Sequence, residues 1–105
     1  MKFYYNGQLV RTSKTRNYKY AIIREIGDKI KVYACSETMQ NALKRLQSEK
    51  ADQTRRAESN YKWCKIPENY KWCVEHYGKC DPEAEYKEYL EMIKNIKIVE
   101  LETIA

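Results

Sequence analysis

An α+β fold, with an N-terminal antiparallel sheet of three to four strands covered on one face by two or three helices, follows from three observations. Short runs of β-formers fill the first 36 residues and are punctuated by Asn6-Gly7 and Gly27-Asp28, dipeptides that favour tight turns. After Cys35 the apolar period changes from two residues to the helical 3.6. Two helix-start signals, Pro67 and Asp81-Pro82, then bracket a helix-stop signal, Gly78.

Taken in order, residues 2–12 read as strand broken by Asn6-Gly7, which places Phe3-Tyr4-Tyr5 against Gln8-Leu9-Val10. Residues 13–17 are polar and form a loop. Residues 18–26 alternate through Tyr18, Tyr20 and Ile22, then shift face to Ile23 and Ile26. Residues 29–35 alternate cleanly, with Ile30, Val32 and Ala34 on one side and Lys29, Lys31 and Tyr33 on the other. Ser36 is the expected N-cap of a helix over about 37–52, whose apolar stripe is Met39, Ala42, Leu43 and Leu46. Residues 49–60 are strongly polar and either prolong that helix into solvent or form a loop. The second helix starts at Pro67 and carries Tyr70, Cys73, Val74 and Tyr77 on one face; the third, capped by Asp81, carries Tyr86, Tyr89, Leu90 and Ile93. Residues 96–101 read as a last strand or a ragged helix end. The 105 residues suit one domain, 1–105, with a modest core.

Composition narrows the function. The net charge is +5, and it is polarised along the chain. Residues 1–24 hold Lys2, Arg11, Lys14, Arg16, Lys19 and Arg24 and no acid, whereas residues 81–105 hold seven acids and three lysines. Such polarity points to an anionic partner for the basic part. Ten Tyr and two Trp against one Phe supply side chains suited equally to cores and to binding faces. No apolar run reaches the roughly 20 residues of a membrane span, and no signal segment opens the chain, so a cytoplasmic protein with reduced cysteines is expected.

Three features carry chemistry. The loop bearing Arg11, Lys14, Arg16 and Lys19, with Tyr18 and Tyr20 beside it, suits phosphate contacts and base stacking; Arg55, Arg56, Lys62 and Lys65 offer a second basic patch. The alternative is a solvated turn. Asn60-Tyr61-Lys62-Trp63-Cys64 recurs as Asn69-Tyr70-Lys71-Trp72-Cys73, either as paired stacking clusters or as two core plugs, the latter being favoured. Cys64, Cys73, His76 and Cys80 present four soft ligands over 17 residues, yet the spacing lacks the C-x2-C knuckles of zinc modules. Buried free thiols are favoured, with no metal and no cofactor. The single His76 has no nucleophile pattern around it, the three glycines are isolated, and the C-terminal acids sit among lysines. No catalytic site is therefore expected.

The segment Asn6-Gly7-Gln8-Leu9-Val10-Arg11-Thr12-Ser13-Lys14, followed by Tyr18-Lys19-Tyr20-Ala21, resembles the start of short proteins carried on bacterial phages, plasmids and integrated elements. Their number includes anti-CRISPR proteins that inhibit type II (Cas9) systems. The resemblance spans the first quarter of the chain and transfers no functional residue. It implies a non-enzymatic inhibitor or accessory protein whose partner is a nuclease–RNA complex, Cas9 or its guide RNA. The alternatives are a small RNA- or DNA-binding regulator acting alone, and a zinc-stabilised interaction module.

Overall fold

The computed structural model describes residues 1–104 and has the α+β architecture expected from the sequence. Nine elements follow one another: β1 (Lys2–Tyr5), β2 (Gln8–Thr12), β3 (Tyr20–Ile26), β4 (Lys29–Ser36), α1 (Met39–Lys65), α2 (Pro67–Tyr77), α3 (Pro82–Lys94), β5 (Lys97–Glu100) and β6 (Glu102–Ile104). The chain divides into two compact units. One comprises Met1–Lys50 and the C-terminal stretch from Asn95; the other is Ala51–Lys94. The boundary falls inside α1, in the polar stretch 49–60. Among the described residues, no helix is long and apolar enough to cross a membrane.

The strands of the first unit form two antiparallel sheets, ordered β2-β1-β6 and β4-β3-β5. Both hairpins turn where the glycines predict. Asn6 and Gly7 have φ of 49° and 76°, the paired left-handed conformation that closes β1 onto β2 in register with the strand twist. Tyr5 then faces Gln8 and Tyr4 faces Leu9. Gly27-Asp28 joins Ile26 to its partner Lys29. The C-terminal run serves both sheets, since β5 pairs with β3 and β6 pairs with β1. Between them the Leu101 amide donates to the Lys19 carbonyl at 2.8 Å.

The core lies on both faces of β3. Ala21 and Ile23 pack with Cys35 and Val99 on one face, and Tyr5, Val10 and Tyr18 close over them. Ile22 packs with Ala42 of α1 and Ile96 on the other, beside Leu46 and Ile98. The consecutive Ala21-Ile22-Ile23 are all fully buried, as a strand covered on both sides requires. The expected arrangement put helices on one face; the β1–β2 hairpin covers the other. A register shift between Ile22 and Ile23 turns β4 over. Ile30, Val32 and Cys35 therefore serve one face, whereas Tyr33 and Ala34 serve the other, and the strict alternation read from residues 29–35 breaks there.

The helices keep their expected identities but shift at their ends. Thr38, not Ser36, caps α1, its Oγ1 accepting from the Asn41 amide at 3.2 Å. Ser36 instead ends β4. The helix continues past residue 52 to Lys65, because residues 49–60 contain good helix formers and neither Gly nor Pro. Asp52 and Arg55 pair along it, three residues apart. Extended backbone at Ile66 and Pro67 at the first helical position stop α1 and start α2. Gly78, at φ 80°, returns its amide to the Val74 carbonyl and ends α2. Asp81 caps α3 through the Ala84 amide at 3.2 Å.

Two outcomes test this core. Truncating Ile22 to Ala leaves a cavity between β3 and α1 and costs about 2–5 kcal/mol, read as a fall in the urea midpoint at unchanged slope. Lys97 ion-pairs with Glu25 at 3.2 Å, and Tyr5 donates to the same carboxylate at 3.0 Å. The Lys97 contact, then the Tyr5 contact, hold the Glu25 carboxyl below its ordinary value of 4.5. A depressed acid contributes stability that is present above its unfolded value and lost as pH falls through its folded value. Glu25→Gln therefore flattens the acid limb of the stability profile below about pH 4.5, measured by urea unfolding at stepped pH.

Candidate nucleic-acid interface

Charge gathers where β2, the following loop, the end of β4 and the start of α1 meet. A cleft of about 580 Å³ is lined there by Arg11, Arg16, Lys44 and Arg45, with Tyr18, Tyr33, Cys35, Ser36, Thr38 and Asn41 between them and Glu37 as its one acid. The four cations arrive by three routes. Arg11 stands on β2 opposite Phe3, and its guanidinium lies 5.4 Å from the centre of the Tyr18 ring, within cation–π range. Tyr18 is fixed in turn by an edge-on contact with the buried Phe3, ring centres 5.5 Å apart. Arg16 is placed by a loop in which the Ser13 hydroxyl accepts from the Thr15 and Arg16 amides at 3.3 and 3.0 Å. Lys44 and Arg45 stand on the face of α1 shared with Asn41, while Ala42 is buried against β3.

The first turn of α1 opens on this cleft through Thr38 and Asn41, which adds the positive end of a long helix to the four cations. Arg16 approaches Glu37 at 3.6 Å with both side chains largely in water, a pair that solvent and salt weaken. Among the described residues of the first unit, no ion pair joins a cation of residues 1–24 to Glu100 or Glu102. Two buried groups complete the floor. Ser36 is 4% exposed, and its hydroxyl has no hydrogen-bond partner among the described residues. Burial pushes the Cys35 thiol above its ordinary range, against the pull of Arg11 and Arg45.

Of the residues singled out from the sequence, Arg11, Arg16 and Tyr18 come together in this cleft. Lys14 and Lys19 are exposed and do not line it; the Lys19 backbone is used between strands instead. Arg55 and Arg56 line a separate concavity of the second unit with Asp52 and Ser59, and Arg55 is already paired with Asp52. Lys62 is exposed on α1 and lines neither, and Lys65 is held by Glu83 at 2.5 Å. Sequence reasoning missed Lys44 and Arg45. Their signal was the i, i+3, i+4 spacing from Asn41 at the start of a helix whose next residue, Ala42, is apolar.

The cysteines fall into two environments. Cys35 belongs to the sheet core. The sulfurs of Cys64, Cys73 and Cys80 lie within 4.8 Å of one another, whereas His76 stands apart from them. Its ring stacks on Trp72 with centres 4.2 Å apart, and its Nδ1 lies 2.9 Å from the Trp72 carbonyl. The two copies of the Asn-Tyr-Lys-Trp-Cys repeat meet at their last two positions. Trp63 packs edge-on to Trp72 at 6.2 Å, and Cys64 lies beside Cys73. The cysteines are buried but each tryptophan keeps 43% of its surface, so only the cysteines serve as core plugs.

Comparison with known proteins finds no matching family model, no matching curated protein and no matching solved structure.

One chemical outcome follows from the thiols. Burial foremost, then the neighbouring Cys73, pushes Cys80 up to about 11. In the reduced, metal-free chain, iodoacetamide at about pH 8 then modifies Cys80 slowly and Cys35, Cys64 and Cys73 hardly at all, and Cys80 labelling climbs towards pH 11. Peptide mapping after timed labelling in native buffer and in urea makes the measurement.

Proposed function

We propose that this protein is a non-enzymatic binding protein that grips a nucleic-acid strand by its phosphates in the basic cleft. The observation that carries the reading is the convergence of Arg11, Arg16, Lys44 and Arg45 on one cleft at the start of α1 with a single acid among them. Guanidinium groups and a helix N-terminus are suited to phosphate oxygens. The unpartnered Ser36 hydroxyl offers a further polar contact on the floor, and Tyr18 and Tyr33 offer faces on which an unpaired base stacks. A single strand of RNA fits this mixture of point charges and aromatic faces better than a duplex groove does. The resemblance of the first quarter of the chain to small proteins of mobile elements favours one such strand, the guide RNA of a Cas9-type nuclease. On that reading the protein acts by sequestering or blocking the guide. Among the described residues, no arrangement of nucleophile, base and oxyanion donors supports a catalytic role.

Filter binding of a short single-stranded RNA across a salt series tests the cleft. Wild type loses affinity steeply as salt rises. Arg11→Glu and Arg45→Glu each weaken binding by at least about tenfold and lower the salt slope by about one, whereas Lys62→Glu, outside the cleft, changes little. Equal affinity of wild type and both cleft variants would refute the assignment. Target-DNA cleavage by a Cas9–guide complex, with and without the protein, separates the guide from RNA in general: protection that Arg45→Glu abolishes supports the guide, and unprotected DNA despite RNA binding leaves a stand-alone RNA binder.

A further inference from the structure

The second unit, Ala51–Lys94, is built almost without a core. The largest fully buried side chains of the protein, Phe3, Ile22, Ile23 and Ile96, all belong to the first unit. In the second, the buried apolar positions are Ala57, Cys64, Cys73 and Ile93, with Pro82 at the start of α3. Trp63, Ile66, Tyr70, Trp72 and Tyr77 all keep 43% or more of their surface. A helical unit of 44 residues with two cysteines among its few buried side chains gains little stability from apolar burial alone. Small units of this kind are held by a covalent or metal staple.

The three cysteines come from three consecutive pieces of chain. Cys64 lies in the last turn of α1, Cys73 lies in the middle of α2, and Cys80 lies in the connection to α3. The break at Ile66-Pro67 and the left-handed Gly78 turn the chain twice and bring the three sulfurs within 4.8 Å of one another. Tetrahedral zinc thiolates have Zn–S bonds of about 2.3 Å and therefore S···S separations of roughly 3.8 Å. The observed spacing needs only about 1 Å of contraction, within reach of small rotations about the Cα–Cβ bonds. A divalent ion placed among three sulfurs this close draws each thiol to its thiolate.

We propose that Cys64, Cys73 and Cys80 bind one Zn²⁺ ion that pins α1, α2 and the start of α3 together. Each thiol that ligates gives its proton to solvent, so binding releases up to three protons. The three sulfurs supply three of the four positions of a tetrahedral ion. Water takes the fourth. His76 is not a ligand, since it is occupied with Trp72. The pairing of the sequence repeat acquires a reason: two Asn-Tyr-Lys-Trp-Cys copies supply two thiolates at equivalent positions on consecutive helices. This site is independent of the phosphate cleft and stands whether or not that cleft binds RNA.

The test uses the full chain, reduced with a phosphine under argon and freed of metal. Titration with Co²⁺ is expected to give a thiolate-to-metal charge-transfer band that saturates at one equivalent and is displaced by Zn²⁺. Zn²⁺ raises the helix content and the melting temperature, and a chelator reverses both. Cys73→Ser weakens Co²⁺ binding by more than the roughly 10–100-fold that follows loss of a supporting group, while Cys35→Ser and His76→Ala leave it unchanged. Should Cys73→Ser fail to fold, Cys80→Ser at the half-buried position gives the same reading. Absence of a saturable band in the reduced chain overturns the site. So does a band retained in both Cys73→Ser and Cys80→Ser, and loss of binding in His76→Ala overturns the three-cysteine ligand set.

Discussion

The first unit depends on the burial of β3 on both of its faces. Ala21, Ile22 and Ile23 are consecutive, so they point alternately to opposite sides of the sheet, and all three are removed from water. That arrangement requires a cover on each side. The β1–β2 hairpin provides one through Tyr5 and Val10, and α1 provides the other through Ala42 and Leu46. Each fully buried Ile contributes on the order of 1.5–3 kcal/mol relative to exposure. The central strand thereby fixes where the hairpin, the helix and the C-terminal strand must lie.

The basic cleft is a by-product of these packing demands. Seating Ala42 against β3 sets the rotation of α1, and that rotation leaves Asn41, Lys44 and Arg45 lining the cleft. Seating Phe3 in the core fixes Tyr18, and Tyr18 carries Arg11. Arg11 and Arg16 are far from Lys44 and Arg45 in sequence, and each group is positioned by its own local support: Tyr18, the Ser13 loop, and the seat of Ala42. Surface charge held in this way is preorganised: binding an anion need not order the backbone that presents it.

The second unit is held by different means. Its helices meet through sulfur, ring–ring contacts and exposed ion pairs in place of a wide apolar interior. Tyr61 packs against Tyr86 at 5.0 Å, and both Lys65 and Tyr61 contact the Glu83 carboxylate. Lys65, foremost, holds Glu83 below the ordinary carboxylate range. Exposed contacts of this kind contribute little individually. The crowded sulfurs of buried Cys64 and Cys73 and half-buried Cys80 bring three successive segments of that unit together.

The sequence by itself determined the local structure, because the responsible signals act over a few residues. Asn6-Gly7, Gly27, Pro67, Gly78 and Asp81 act where they stand, and the change of apolar period after Cys35 marks the passage from strand to helix. It also marked the basic first quarter, from which Arg11, Arg16 and Tyr18 reach the cleft. It left the fate of residues 49–60 open, since a polar run satisfies a solvated helix and a loop equally well. Tertiary structure alone decided the division of the strands into two sheets, the cap at Thr38 in place of Ser36, the addition of Lys44 and Arg45 to Arg11, and the separation of His76 from the three cysteines. Each of those outcomes depends on which residues distant in the chain become neighbours. Period and spacing encode what a residue does to its own segment, whereas the partner across a sheet or a helix is chosen by packing.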